Sequence, residues 1–134
     1  MEEETEETAL VIIDSSIFVD HFRNYAPSVE FFRFLSSFKT RPLFSAITET
    51  ELIAGNSCND SNVRTIILAM LNSFTKVEVD NQIALKAGDL SRIYNVDLPD
   101  SIIAATAIVN KAELLTRNIK DFKKIKGLKV RMPY

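Results

Sequence analysis

The stretch Leu10–Asp20, LVIIDSSIFVD, decides the fold. Leu10 to Ile13 form an apolar, largely β-branched run of the kind a buried strand uses. The run stops on Asp14, and Ser15-Ser16 leads into a second apolar run, Ile17-Phe18-Val19. A buried strand that ends on a carboxylate places it at the carboxyl edge of the sheet, where open α/β sheets bind ligands. Ser15 or Ser16 is suited to cap the helix that follows. Asp14 has two roles open to it: cap of that helix, or ligand at the sheet edge. This stretch alone does not choose between them.

Working outward, Pro27-Ser28-Val29-Glu30 opens a second helix, since proline at the first helical position loses no hydrogen bond. Phe31, Phe32, Phe34, Leu35 and Phe38 carry more apolar surface than one narrow stripe buries, so some are expected to meet another chain. Pro42–Ser45 reads as a second strand. The helix over Ile47–Gly55 is capped by Ser45 or Thr48 and ended by Gly55. Glu51 falls four residues after Ile47 and shares its apolar side, whereas Glu49 lies further round. An inward-leaning glutamate needs a partner or a metal.

Asn59-Asp60-Ser61 precedes a helix over Val63–Leu71, Phe74–Val79 is a third strand, and Asn81–Tyr94 has helical spacing. Ser101–Val109 is apolar all round and small-sided, a helix to be buried and closely packed. Asp100 stands at its N-terminus, where capping is worth about 1 kcal/mol. Glu113–Thr116 is a further strand, and Gly127 turns the chain into an alternating edge strand at Leu128–Met132. The pattern predicts an α/β fold, a mostly parallel sheet with helices on both faces. It forms a single domain over 9–134, with residues 1–8 an acidic tail expected to be disordered.

The 134 residues are 46% hydrophobic and 25% charged, enough apolar content for a real core. No apolar run is long enough to span a bilayer, and the acidic start is the opposite of a secretion signal, so a cytoplasmic protein is expected. Cys58, the one cysteine, excludes an internal disulfide and a cysteine-rich metal cage. The net charge of −2 hides an asymmetry: five of the 18 acids precede the first strand, leaving 13 acids against 16 bases in the body. From Lys111 onward there are eight bases and two acids, a candidate phosphate-facing surface.

Four acids share one kind of location. Asp14 follows the first strand, Glu51 lies in the helix after the second, Asp100 starts the buried helix, and Asp121 follows the strand at Leu114–Thr116. Four carboxylates at one sheet edge repel, and each costs several kcal/mol if left unpaired. A hard divalent cation, Mg²⁺ or Mn²⁺, resolves this with oxygen ligands. His21, the one histidine, lies in the first helix, which argues against a histidine-based zinc site or a Ser-His-Asp triad. Three glycines do not make a phosphate-binding loop. Metal-assisted phosphodiester hydrolysis remains.

The segments VIIDSS, SAITETELIAG, PDSIIAATA and LLTRNIKDF, in that order and spacing, resemble the PIN-domain nucleases, and most of all the VapC-type toxins of toxin–antitoxin pairs. The resemblance implies a three-layer α/β/α sandwich on a five-stranded parallel sheet, a Mg²⁺- or Mn²⁺-dependent endoribonuclease acting on RNA, a homodimer, and silencing by a cognate antitoxin. It assigns Asp14, Glu51 and Asp100 to the first three family acids. Ser16 matches a small polar residue that hydrogen-bonds within the site. At the fourth position many relatives carry Asp directly after Thr-Arg. Here Asn118 stands there, and Asp121 supplies the charge. Asn118 then orients a ligand, and Thr116, Arg117 and Lys120 are candidate RNA contacts. The Phe31–Phe38 segment, with Phe18 and Phe22, is the expected antitoxin groove.

Two other classes compete. A catalytically silent PIN domain serving as an RNA- or protein-binding module is favoured a little by Asn118 and the negative charge. A phosphoacceptor receiver domain wants paired acids after the first strand, and Asp14 is followed by Ser15.

Overall fold

A computed structural model of the chain describes residues 9–35 and 40–134. The acidic tail and Phe38 lie outside the described residues. The elements run β1 (Ala9–Ile13), α1 (Ser15–Phe22), α2 (Ala26–Leu35), β2 (Thr40–Ser45), α3 (Ala46–Ile53), α4 (Ser61–Leu71), β3 (Thr75–Val77), α5 (Asn81–Tyr94), α6 (Leu98–Val109), β4 (Glu113–Leu115), α7 (Ile119–Phe122) and β5 (Val130–Arg131). A single 3₁₀ turn, Asn56–Asn59, joins α3 to α4.

The five strands are all parallel, in the order β3-β2-β1-β4-β5. The expected alternating edge strand at Leu128–Met132 shrinks to Val130–Arg131, led in by Gly127 at φ +86. That left-handed conformation suits glycine.

Alternation along the strands divides the core. Ile12, Leu43 and Leu114 face α5, α6 and α7, meeting Ile83, Leu90, Ile103 and Phe122. Val11, Ile13, Phe44 and Leu115 face α1 to α4, meeting Ile17, Phe18, Leu52, Ile67 and Leu71. Helices therefore cover both faces, the three-layer α/β/α sandwich. On α6, Ala104, Ala105 and Ala107 are fully buried, so α6 can lie close to the sheet and to α5.

Local chemistry sets the helix ends. Ser45 accepts the Ile47 N–H to cap α3, Asp60 accepts from Asn62 to cap α4, and Asp80 accepts from Ile83 to cap α5. Asn95, at φ 56, ends α5 in the left-handed region. Gly55 does not act as a left-handed stop: α3 ends at Ala54, and Gly55 has φ −68. Asp100 does not cap α6; Asp97 holds the cap position, without a side-chain cap bond, and Asp100 lies in the first turn.

The phenylalanines mostly pack within the chain. Phe18 stacks on Phe32 at 5.4 Å and meets Phe74 edge-on at 5.7 Å. Phe34 is 58% exposed. No helix among the described residues is long and apolar enough to cross a membrane. Because Phe18 is fully buried against three other rings, Phe18→Ala should cost about 3–5 kcal/mol of stability, read from urea unfolding.

Candidate functional site

The strand order reverses between β1 and β4. From β1 the chain moves outward to β2 and β3, then crosses back to β4 on the other side. Such a switch point opens a crevice at the carboxyl ends of the strands. Asp14 follows β1 and Thr116 follows β4, so both stand in it. The Asp14 N–H donates to the Leu115 carbonyl at 2.9 Å, which continues the ladder one residue past β1.

Asp14 occupies the cap position of α1 but makes no side-chain cap bond. Ser15 and Ser16 are inside the helix rather than capping it. Instead, Oδ2 of Asp14 accepts from Ser16 Oγ and from Thr116 Oγ1, each at 2.7 Å. Asp14 is 4% exposed, so these charge-assisted bonds stabilise an anion held away from bulk water. No hydrogen bond within the described residues reaches Oδ1.

Glu51 comes from α3. It is exposed over the residue as a whole, not inward-leaning as its spacing from Ile47 suggests. Its carboxylate nevertheless turns toward the site and accepts from Ser15 Oγ at 2.7 Å. Partial burial raises its pKa, the Ser15 bond lowers it, and the charge of Asp14 raises it. Glu49 points elsewhere and pairs with Lys76 at 3.4 Å.

Asp100 reports on the whole cluster. Burial, then the negative charges of Asp14, Glu51, Asp121 and Asp97, push its pKa from 3.8 to about 6. Asp121, exposed in the first turn of α7, joins Asp97, Asp100 and Lys124 around a polar cavity of about 140 Å³. The four expected acids are thus brought to one edge and feel each other's charge. Among the described residues, no three His, Cys, Asp or Glu side chains converge closely enough to hold a metal as they stand.

The supporting residues fall out differently. Ser16 bonds Asp14 as expected. Asn118 contributes its backbone: its N–H donates to Thr116 Oγ1 at 2.9 Å, and its side chain lines the mouth of the site. Thr116 was expected to face RNA. It is fully buried, with its hydroxyl committed to Asp14, so it supports that carboxylate rather than forming a rim. Arg117 is tied to Asp20 at 2.9 Å, and Lys120 is exposed. Ser15, expected only as a cap, Asp97 and Arg23 line the site without having stood among the candidate site residues. The first two were legible as polar neighbours of the two acids. Arg23, at the mouth, had no local signal.

A PIN domain model matches residues 11–128. The chain belongs to the PIN-domain family. It is similar to "Ribonuclease VapC10" of Mycobacterium tuberculosis, 30% identical over 126 residues, covering 90% of this chain and 91% of that one. It is similar to "Ribonuclease VapC1" of Rickettsia felis, 31% identical, covering 90% and 93%. A solved toxin–antitoxin complex from Klebsiella pneumoniae contains a chain 31% identical, with TM-score 0.75, covering 92% of this PIN domain chain and 98% of that one.

The raised Asp100 sets a pH dependence. The folded PIN domain holds the Asp100 proton more tightly than the unfolded chain does, so unfolding releases it. Stability should therefore rise as pH falls from about 6 toward 3.8. Asp100→Asn should remove that gain and melt higher than wild type at about pH 7.5, but not at about pH 4, by thermal unfolding at both values.

Proposed function

We propose that this chain is a metal-dependent endoribonuclease, the toxin of a VapBC-type toxin–antitoxin pair, acting in the cytoplasm. The observation that carries the reading is the acid cluster at the β1/β4 switch point, with Asp100 held up at about 6 by burial and by the charges of its neighbours. Membership of the PIN-domain family and similarity to proteins named as VapC ribonucleases support it.

The donor set suits a hard divalent cation, Mg²⁺ or Mn²⁺. It consists of carboxylate oxygens, it carries uncompensated negative charge, and Asp14 Oδ1 accepts no hydrogen bond within the described residues. Asp14, Glu51, Asp100 and Asp121 would hold the ion. A bound cation of this kind supplies activation of water and stabilisation of the leaving oxygen. The chain's own residues do the rest. Ser16 and Thr116 fix Asp14 in direction through their bonds to Oδ2. Ser15 fixes Glu51. Asn118 and Arg117 line a mouth of about 530 Å³, shared with Arg23. Arg23, which lines that mouth, and the exposed Lys120 would meet RNA phosphates.

The expected partner groove is present in part: Phe31 and Phe34 line one of about 440 Å³, and Phe22 lines another. Phe18 is fully buried and unavailable to a partner. The second groove, of about 630 Å³, runs between α1, α3 and α4, lined by Phe22, Leu52, Val63, Ile66 and Ile67, and it ends at Glu51. An antitoxin helix lying there would reach the site. The solved complexes of similar chains carry antitoxins, which supports a partner of this kind. The exposed Leu85, Ile93 and Leu98 offer an apolar surface for a second copy, in keeping with a homodimer.

Wild type should cut RNA with Mg²⁺ or Mn²⁺ and stop in EDTA. Asp14→Asn should lower the rate on the order of 100-fold or more. Equal cleavage in EDTA, or by the Asp14→Asn protein, would sink the mechanism, and RNA binding indifferent to all four acids would favour a silent module. Ile66→Asp should weaken co-purification with the small product of a neighbouring gene while leaving RNA cleavage within about twofold of wild type.

A further inference from the structure

We propose that Tyr134 is a positioning residue of this site, closing a clasp with Asp20 and Arg117 that holds the loop beneath Asp14. The proposal rests on the reading of Asp14 as the central acid of a nuclease site. Tyr134 lies three residues beyond β5, yet its hydroxyl donates to Asp20 Oδ2 on α1 at 2.7 Å. Arg117 donates to the same oxygen at 2.9 Å. The Arg117 guanidinium lies over the Tyr25 ring, 5.2 Å from its centroid, and Tyr25 packs on Tyr134 at 5.9 Å. Two donors and two rings thus gather around one carboxylate whose side chain is 14% exposed. A pair as exposed as Arg117 is weak in isolation. Here a hydroxyl and an aromatic face add to it. Burial, then the bond to Asp20, pushes the Tyr134 hydroxyl up to about 12, so it stays a donor across the working range.

The consequence lies one peptide away. The Arg117 N–H donates to Ser16 Oγ at 3.3 Å, and the Asn118 N–H donates to Thr116 Oγ1 at 2.9 Å. A hydroxyl that accepts from an N–H has its own proton turned elsewhere. Both of these turn theirs onto Asp14 Oδ2. Two consecutive backbone donors therefore orient the two hydroxyls that orient the acid. The Arg117 side chain gives that peptide a second tie to α1, through Asp20. Releasing Tyr134 loosens Asp20, then Arg117, then the donors, without removing any group that touches substrate.

The test joins amide exchange to kinetics. Tyr134→Phe should speed exchange of the Arg117 and Asn118 amides several-fold while amides in α5 stay as in wild type. On RNA with Mg²⁺, it should lower kcat about threefold to tenfold with KM within about twofold. Asp20→Asn should do the same, and the double variant should be no worse than Asp20→Asn alone, because Tyr134 acts through Asp20. Arg117→Lys, which keeps the charge, should retain more activity than Arg117→Ala. Unchanged exchange and kcat in Tyr134→Phe overturn the proposal, as do additive losses or a kcat loss matched by a general fall in melting temperature. A wild-type protein that cuts no RNA overturns the reading of the site instead, and the exchange measurement still decides the clasp.

Discussion

The pair of hydroxyl bonds onto Asp14 Oδ2 is the constraint on which the site depends. One donor, Ser16, belongs to the helix after β1, and the other, Thr116, follows β4. These residues are far apart in sequence and meet because β1 and β4 are parallel neighbours with Ile13 opposite Leu115. The register is itself held by core packing on both faces, since Ile12 and Leu114 face one layer while Ile13 and Leu115 face the other. A slip of one residue would exchange those faces and carry Thr116 away from Asp14. Core and site are thus two consequences of a single alignment.

Concentrating acids at that alignment works against folding. Asp100 shows the size of the conflict, since its proton is held well above the ordinary carboxylate range by burial and by four like charges. The chain tolerates this because the acids are few and the core is well filled on both faces of the sheet. Fully buried Phe18, Phe44 and Phe122 lie on both sides of the sheet. Repulsion that a folded protein retains is a common mark of a functional site, because it makes room for a cation that no side chain replaces.

The features read correctly from the sequence were those written into local pattern. The run Leu10–Ile13 ending on Asp14, the small-sided helix after Asp100 and the helical spacing of Asn81–Tyr94 each carried their own signal. They placed the strands and the layers. Errors came where a local rule met a tertiary competitor. Asp100 looks like a cap, but Asp97 already occupies that position. Glu51 shares a helical side with Ile47, but α3 lies at the edge of the crevice, where that side opens to solvent. Thr116 has the look of a rim residue, but the strand ends so close to Asp14 that its hydroxyl is absorbed. The contact of Tyr134 with Asp20 was illegible, because it joins residues 114 positions apart with no pattern in either segment.

The same competition revises the basic end of the chain. Its two arginines, Arg117 and Arg131, are engaged with Asp20 and Glu113. Its lysines are exposed, and none forms an ion pair within the described residues. Lys120, Lys123, Lys124 and Lys126 follow one another through α7 and the turn after it, and Lys124 shares a cavity with Asp100 and Asp121. An ammonium on a flexible stem suits a phosphate backbone read without sequence preference, whereas a guanidinium suits fixed geometry. The two arginines of this end therefore hold structure, and its lysines stay exposed. In a net-negative protein, acids at the carboxyl edge of the sheet and exposed lysines after β4 thus keep opposite charges apart.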